Sequence, residues 1–216
     1  MRVDCHSHTM WSGDCTTTAE EVHQSVVDTA IDVLCITDHN QTAGAERLQH
    51  ELPCRVIVGE ELRVGQGELI GLFLNERIPQ GLGPVEAARR IRAQGGVVYI
   101  PHPFDPMRNC LRPHEIDELV AERAVDAIEG FNAKTSLRSL NQQAVDYGEA
   151  NDLAVGAGSD AHVPGSVGAA YVEMPDFDGP TEFLASLRRG RLVWHHYDKP
   201  RPWTPRIVPS VDPLSS

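Results

Sequence analysis

The fold of this chain is decided near its beginning by the segment VDCHSHT, residues 3–9. Side chains alternate between the two faces of a β-strand, so Asp4, His6 and His8 share one face of the predicted first strand. A strand buries such a polar face only when its groups find partners, because an unpartnered buried polar group costs roughly 1 to 3 kcal/mol. We therefore take a metal ion as the leading candidate for that partner.

The composition and charge of the chain are those of an ordinary globular protein. Its 216 residues are enough for one sizeable domain, and 41% hydrophobic with 23% charged residues argues against a disordered or fibrous chain. The formal net charge of -12 argues against broad binding to nucleic acid, which needs a basic face to neutralise phosphates. We therefore disfavour nucleic acid as a partner.

Cysteine usage and hydropathy indicate the compartment. The five cysteines are odd in number and show no C-x-x-C spacing, so a disulfide framework is not expected. The chain enters its first strand at once without an apolar signal region, and no apolar run approaches the ~20 residues that cross a bilayer. We predict a reduced, soluble, cytoplasmic protein with no membrane partner.

Apolar runs typical of strands alternate with helical patterns along most of the chain. The first helical pattern, residues 16–31, carries a capping box in which Glu21 follows Thr18 by one helical turn. Strand and helix units that alternate in this way favour an α/β fold with parallel strands. Residues 1–198 are predicted to form a single domain, and residues 199–216, with five prolines, an extended Pro-rich tail.

Polar side chains follow several of the predicted strands at the point where each strand ends. They are His6, His8, Asp38, His39, Glu60, Glu61, His102, Glu129, Asn132, Asp160 and His162. The carboxyl ends of the strands in a parallel α/β barrel meet at one mouth, where these side chains would converge. Mixed imidazole and carboxylate ligands suit Zn, Mn or Fe. Asp4, one layer deeper, is predicted to accept a hydrogen bond from an imidazole N–H.

Some polar residues of these patterns have simpler structural interpretations. His23 and His50 lie in helical patterns and are interpreted as surface or core-edge residues. Asp38 is interpreted as a turn-capping residue and Glu60 as a solvated one. The choice of Glu61 over Glu60 as the inward-pointing residue depends on strand register, because a shift of one residue reverses the face.

The ordered set of motifs resembles a known family. DCHSHT, Asp14, ITDHN, GEE, PHPFDP and GSDAH follow one another as in the polymerase and histidinol phosphatase (PHP) family of metal-dependent phosphoesterases. The resemblance extends from Met1 to Arg191. It implies a distorted (β/α)7 TIM-like barrel with two to three divalent metal ions, Mn, Zn or Fe, at the carboxyl mouth.

The resemblance also implies which residues bind these ions. A first ion would be bound by His6, His8 and Asp160, a second by His102, and a third by Asp14, His39 and His162, with Glu61 bridging the first two. Asp14 stands where many members have histidine. On the strand VDAIEGFN, where some members have histidine or cysteine as a further ligand of the second ion, only Glu129 and Asn132 are available.

The chemistry implied by the resemblance is hydrolysis by a metal-activated hydroxide, with Glu61, Asp160 and His162 as catalytic residues. No serine or cysteine nucleophile is then required. Phosphate also needs cationic donors, and Arg108, Lys134 and Arg138 follow predicted strand ends. We interpret these three as candidates for substrate binding, against the simpler interpretation that they are solvated surface charges.

The short, acidic chain favours a small phosphate monoester as substrate, such as a nucleotide, a sugar phosphate or an amino-alcohol phosphate. Two alternatives are kept. One is a nuclease or phosphodiesterase that acts on nucleic-acid ends, and the other is a non-catalytic metal-binding barrel. The sequence does not distinguish the substrates within the monoester class, nor does it indicate the oligomeric state or the role of the tail.

Overall fold

The computed structural model of the protein describes residues 1–195. The predicted Pro-rich tail, residues 199–216, lies outside the described residues. None of the helices in the described part is long and apolar enough to span a bilayer.

The described residues contain nine strands and six α-helices. The strands are β1 (Arg2–Ser7), β2 (Val33–Ile36), β3 (Arg55–Val64), β4 (Gly67–Leu72), β5 (Val97–Ile100), β6 (Ala127–Asn132), β7 (Ala154–Gly158), β8 (Ala170–Glu173) and β9 (Arg191–Trp194). The helices are α1 (Ala19–Thr29), α2 (Ala43–Leu48), α3 (Pro84–Ala93), α4 (Pro113–Ala121), α5 (Arg138–Ala150) and α6 (Gly179–Leu187), with a short 3-10 helix at Met10–Ser12.

The strands form one sheet that is curled into a nearly closed barrel. Their order is β7-β6-β5-β4-β3-β2-β1-β8-β9, so the first seven lie side by side in chain order. The end of β1 meets the end of β7, where the Asp160 amide donates to the His6 carbonyl at 2.7 Å and the His8 amide donates to the Ala161 carbonyl at 3.1 Å. The single-domain α/β fold and the distorted TIM-like barrel are therefore confirmed.

The barrel is distorted at two places. β8 pairs antiparallel with the first residues of β1, on the edge that the end of β7 contacts only farther along β1, and β9 pairs antiparallel with β8. β4 is antiparallel to both β3 and β5. Only Gly65 and Gln66 connect β3 to β4, with Gly65 at a φ of 57° that suits glycine. Because a parallel crossover needs a dozen or more residues, this connection makes a hairpin.

Both faces of the central strands are covered, which explains their continuous apolar runs. Val33 and Cys35 of β2 belong to an apolar cluster contributed by strands around the whole barrel, which is its interior. Leu34 and Ile36 belong to a second cluster that packs against α1. The predicted capping box of α1 is confirmed, because the Glu21 amide donates to Thr18 Oγ1 at 3.3 Å and the Thr18 amide donates to the Glu21 carboxylate at 3.0 Å.

Candidate metal centre

Four buried side chains converge at the mouth of the barrel, from the end of β1, from within β3, which continues past the predicted end at Glu61 to Val64, and from the segment after β7. His6 Nε2 and His8 Nε2 lie 3.0 Å apart, and Glu61 Oε2 lies 3.4 Å from the first and 3.2 Å from the second. Asp160 Oδ1 is 3.8 Å from His6 Nε2 and 3.6 Å from His8 Nε2. Two imidazole nitrogens and two carboxylate oxygens therefore point at one position, which is the arrangement that a shared cation would satisfy.

The second oxygen of Glu61 faces a different group. Glu61 Oε1 lies 2.9 Å from His102 Nε2, and Glu68 Oε2 lies 3.6 Å from the same nitrogen. Glu61, Glu68 and His102 each offer one donor atom within 4.8 Å of the others, and all three are buried. Glu61 thus separates two candidate cation positions with one oxygen toward each.

Glu68 is a candidate ligand that the sequence reasoning missed. That reasoning considered only the carboxyl ends of strands, whereas the reversed strand β4 brings its amino end to the mouth. Glu68 lies opposite Arg63 next to the hairpin turn. Arg63 is two residues after Glu61 on β3, so Glu68 is close to Glu61 across the two strands. The signal available in the sequence was the short Gly65–Gln66 connection, which predicts a hairpin and hence a reversed strand.

A third group lies at the more exposed side of the mouth. Asp14 Oδ2 is 3.3 Å from His39 Nε2 and 3.1 Å from His162 Nε2. His8, Asp14, His39 and His162 each offer a donor atom within 4.8 Å of the others. His39 Nδ1 also lies 3.3 Å from Glu61 Oε2, so the third group adjoins the first. The structure therefore brings all eight predicted ligands together at one end of the barrel.

The donor set of these three groups fits divalent transition ions. Each group combines imidazole nitrogens with carboxylate oxygens, which suits Zn, Mn or Fe better than Mg or Ca. Glu61, Glu68 and Asp160 are buried carboxylates that lie around the same histidines. This concentration of buried negative charge needs cations to offset it. The donor types and their burial therefore both fit a centre of divalent ions.

Glu129 supports the first group from behind. Its Oε1 lies 3.1 Å from His6 Nδ1, and its Oε2 accepts the His102 amide at 2.6 Å and Asn132 Nδ2 at 2.9 Å. Asn132 Nδ2 also donates to Asp160 Oδ2 at 3.1 Å. The two residues considered as further ligands of a second ion are thus engaged in orienting His6, His102 and Asp160.

The prediction that Asp4 accepts an imidazole N–H is wrong. Its carboxylate accepts the backbone amides of Ser159 and Gly168, both at 2.9 Å, and the His6 amide at 3.3 Å. The physical reason is an irregularity in β1, whose register with β2 shifts between Asp4 and Ser7, so regular alternation does not extend from Asp4 to His8. Asp4 instead ties β1 to the segments that follow β7.

Of the two structural roles predicted near the site, the turn-capping role of Asp38 is observed and the solvated position of Glu60 is not. Asp38 accepts the Thr9 amide at 2.7 Å and the Thr9 hydroxyl at 2.6 Å, so it does fix a turn, although the turn is the one after His8. Glu60 is fully buried rather than solvated, because the loop after β4 covers it and the Ile78 amide donates to its Oε2 at 2.8 Å. Burial raises the pKa of Glu60 to about 7.

Two of the three predicted phosphate-binding cations lie at the mouth. Arg108 Nη2 donates to Asp160 Oδ2, and Lys134 Nζ lies 3.4 Å from Asp160 Oδ1 and 3.1 Å from His162 Nδ1. They line an open cavity of about 210 Å³ together with Asp14, His39, Glu68, Met107, Asn109 and His162. Arg138 lies elsewhere, because it is the first residue of α5 and lines a separate groove with Phe131 and Trp194.

Two candidate ligands have backbone conformations that are unusual for residues other than glycine. His102 has a φ of 29° and Asp160 a φ of 48°, and each is the second residue after the end of a strand. Positive φ values cost energy in residues with a Cβ, and such residues concentrate at functional sites. The backbone at both strand ends is therefore shaped to aim these two side chains into the mouth.

The charges of the site shift the pKa values of its members strongly. Burial alone would lower the pKa of His6, but the carboxylates of Glu61, Glu129 and Asp160 raise it well above the ordinary value. Burial would likewise lower the pKa of His39, and the adjacent Asp14 and Glu61 raise it to about 9. Burial would raise the pKa of Asp160, yet the neighbouring cationic groups, led by His6, hold it well below its usual range.

These shifts predict that metal binding releases protons. In the metal-free protein at pH 7, His6 and His39 each hold a proton because their pKa values are raised, whereas a metal ligand must be a neutral imidazole. We expect protons to be released on metal binding at pH 7, and metal affinity to rise with pH through about pH 9, where His39 loses its proton. Calorimetric titration in two buffers of different ionisation enthalpy measures the release. Equal heats in both buffers would contradict the assignment.

Comparison with protein families and with curated proteins gives consistent matches. The model of the PHP domain matches residues 4–152, and the model described as PHP-associated matches residues 138–192. Uncharacterized protein MJ0417 of Methanocaldococcus jannaschii is 35% identical over 197 residues, which cover 87% of this chain and 79% of that protein. Uncharacterized protein MJ1587 of the same organism is 34% identical over 146 residues, 62% of this chain and 82% of its own.

Solved structures share the fold. A two-domain protein from Bacteroides vulgatus that contains a predicted PHP-like metal-dependent phosphoesterase has a TM-score of 0.71 at 19% identity. The match covers 90% of this chain but only 65% of that one. An amidohydrolase from Chromobacterium violaceum, with bound sulfate and no metal, has a TM-score of 0.64 at 17% identity over 90% of this chain and 98% of its own. At these identities the likeness shows the fold alone.

Proposed function

The chain belongs to the PHP domain family, and from that premise we propose that it is a metal-dependent phosphoesterase that hydrolyses a small phosphate monoester. One observation carries the proposal. The convergent donors His6, His8, Glu61 and Asp160 lie beneath a cavity that is lined by a guanidinium and an ammonium group. A negatively charged tetrahedral group could enter that cavity and meet both kinds of partner.

The proposed metal centre uses the three groups described above. His6, His8 and Asp160 would hold one ion, His102 and Glu68 a second, and Asp14, His39 and His162 a third, with Glu61 shared between the first two. Two to three ions of Mn, Zn or Fe are proposed. Bound there, they would polarise the phosphoryl oxygens and lower the pKa of a water molecule toward neutrality. Glu129 would keep the His6 ring in the tautomer that leaves Nε2 free to bind.

Arg108 and Lys134 are proposed to bind the substrate phosphate. In the described structure both cations are directed at Asp160, which carries its negative charge toward the cavity. Cations held by the metal centre would offset the charge of Asp160, so Arg108 and Lys134 could pair with a phosphate instead. A guanidinium can donate two parallel hydrogen bonds to phosphate oxygens, so Arg108 would also orient the group.

His162 is proposed to deliver a proton to the leaving-group oxygen. Its ring lies in the cavity with Nδ1 2.9 Å from the Asp160 carbonyl, which fixes the ring orientation and leaves Nε2 toward Asp14. A ring nitrogen that binds a cation cannot carry a proton at the same time. The donor role of His162 therefore applies to the form of the site with two ions, in which the third group is free.

The experiment that tests the proposal is a screen of purified protein after reconstitution with Mn, Zn or Fe. We expect phosphate release from a panel of phosphomonoesters and no cleavage of bis-p-nitrophenyl phosphate. Cleavage of the diester alone would favour the nuclease or phosphodiesterase alternative. Bound metal with no turnover of any ester would favour the non-catalytic barrel.

A substitution of Arg108 tests the phosphate-binding role. We expect Arg108→Gln to lower kcat/KM for phosphomonoesters by about 10²-fold, since one charge-assisted donor to the transferring group typically contributes that much. Steady-state kinetics on the best substrate of the screen measure it. Arg90→Gln removes the same group from an exposed position on α3, and this control is expected to keep wild-type kinetics. Equal activity of the two variants would exclude the role of Arg108.

A further inference from the structure

Ser12 lies behind the metal centre and contacts two of its candidate ligands. The residue ends the short 3-10 helix Met10–Ser12 and is buried, with 8% of its surface exposed. Its Oγ lies 3.0 Å from His8 Nδ1, and it accepts the backbone amide of His39 at 3.1 Å. His8 follows β1 and His39 follows β2. One hydroxyl therefore connects two segments that each supply a donor to the centre.

The position of Ser12 is fixed by the hydrogen bonds of its turn. Its amide donates to the Thr9 carbonyl at 2.9 Å. Thr9 is itself held by the buried carboxylate of Asp38, which accepts both the amide and the hydroxyl of Thr9. Asp38 directly precedes His39 in the chain. The 3-10 helix and the segment after β2 are therefore joined twice, once through Asp38 and once through Ser12.

The hydroxyl behind His8 differs chemically from the carboxylate behind His6. The Glu129 carboxylate can only accept a hydrogen bond, so it keeps a proton on His6 Nδ1. A serine hydroxyl can rotate and can either donate or accept. Ser12 can therefore donate to His8 Nδ1 when the ring proton is on Nε2, and accept from Nδ1 when Nε2 is free. Ser12 thus suits both tautomers of His8.

Both tautomers of His8 have partners at this site. In the metal-free protein His8 Nε2 lies 3.2 Å from Glu61 Oε2, to which it can donate while Ser12 donates to Nδ1. An imidazole nitrogen that binds a cation carries no proton, so a metal-bound His8 must hold its proton on Nδ1. The two acceptor positions of Ser12 Oγ then receive His8 Nδ1–H and the His39 amide. The change needs a rotation of the hydroxyl and no movement of the ring.

We propose that Ser12 is a positioning residue of the metal centre, whose hydroxyl holds His8 with Nε2 toward the cations and fixes the backbone of His39 beside it. Ser12 acts through these two histidines and not on the substrate. Groups that orient a metal ligand from behind typically contribute 10- to 100-fold to metal affinity. The inference rests on the metal centre of the proposed function, but not on which ester the protein hydrolyses.

The zinc affinity of the whole chain tests this role without any substrate. Competition with a chromophoric chelator measures it, and we expect Ser12→Ala to bind Zn about 10- to 100-fold more weakly than the wild type. Ser186→Ala is the matched control. Ser186 is also a buried serine, but its hydroxyl donates to the Asp176 carbonyl at the opposite end of the barrel, where β8 ends beside Arg2. This variant should keep the zinc affinity of the wild type.

The NMR signals of the ring nitrogens provide a second measurement that needs no variant to fold. Long-range proton–nitrogen spectra of the Zn-loaded wild type should show His8 with its proton on Nδ1 and Zn on Nε2. A His8 ring that binds Zn through Nδ1, wild-type affinity in Ser12→Ala, or an equal loss in Ser186→Ala would each overturn the role of Ser12 and leave the proposed function standing. A wild type that binds no Zn, Mn or Fe would overturn both.

Discussion

Glu61→Gln is expected to lower the turnover of phosphomonoesters by about 10³-fold, because each 1.36 kcal/mol of lost transition-state stabilisation costs a factor of ten and metal centres supply several kcal/mol. Glu61 directs one oxygen toward each of two imidazole sets, at 2.9 Å from His102 Nε2 and 3.2 Å from His8 Nε2. The glutamine amide has one carbonyl oxygen and no negative charge, so it could bind a cation at only one of the two positions. Steady-state kinetics and metal analysis of the variant measure the effect.

Glu60→Gln is the matched control for this substitution. Glu60 is also buried and adjacent in the chain, but its carboxylate accepts the Ile78 amide and belongs to none of the three donor groups. A glutamine carbonyl can accept the same hydrogen bond, so we expect this variant to keep wild-type turnover and metal content. Loss of activity in Glu60→Gln with retention in Glu61→Gln would reverse the assignment of register at this strand end.

Removal of the metal is expected to abolish activity and to lower stability substantially. A ligand present at 100 times its Kd stabilises the folded state by about 2.7 kcal/mol. For a chain of this size about 1 kcal/mol shifts Tm by 2 to 4 °C, so reloading Zn or Mn should raise Tm by about 5 to 11 °C. The physical source is the repulsion among buried carboxylates such as Glu61 and Glu68. The repulsion is visible in the metal-free protein, where burial and the charge of Glu61 raise the pKa of Glu68.

Differential scanning fluorimetry of the chelated and reloaded protein measures this shift. Mg at the same concentration is the control, and we expect it to give a smaller shift because imidazole-rich sites favour transition ions. A Tm that does not respond to Zn, Mn or Fe would show that the three donor groups hold no metal under these conditions, and the proposed hydrolase mechanism would lose its basis.

Much of the fold and of the candidate site could be predicted from the sequence. Parallel α/β strands read as apolar runs that end in polar residues, and geometry brings such ends together whatever their distance along the chain. His6, His102 and Asp160 were identifiable for that reason. Arg138 also follows a strand, but it begins α5 and is turned to another groove. Position after a strand predicts proximity to the mouth only for the first residues beyond it.

The remaining errors have a common cause in local departures from regular strands. The alternation rule placed Asp4 beside His6, and a register shift in β1 prevents this. The carboxyl-end rule omitted Glu68, because it assumes that every strand runs in the same direction. Neither irregularity follows from hydrophobic periodicity, which is the signal that identified the strands. Turn length was the only sequence feature that indicated the reversal of β4.

Because β4 runs in the reverse direction, bringing together different pairs of candidate ligands costs different amounts of chain entropy. Glu61 and Glu68 lie on the two arms of one tight hairpin, so only a short loop must close to bring them together. His6 and Asp160 come from opposite ends of the barrel sequence and meet only when the last contact between β1 and the end of β7 forms. Closing the first cation position therefore joins far more distant parts of the chain than pairing Glu61 with Glu68 does, and the second position needs in addition only His102 from the end of β5.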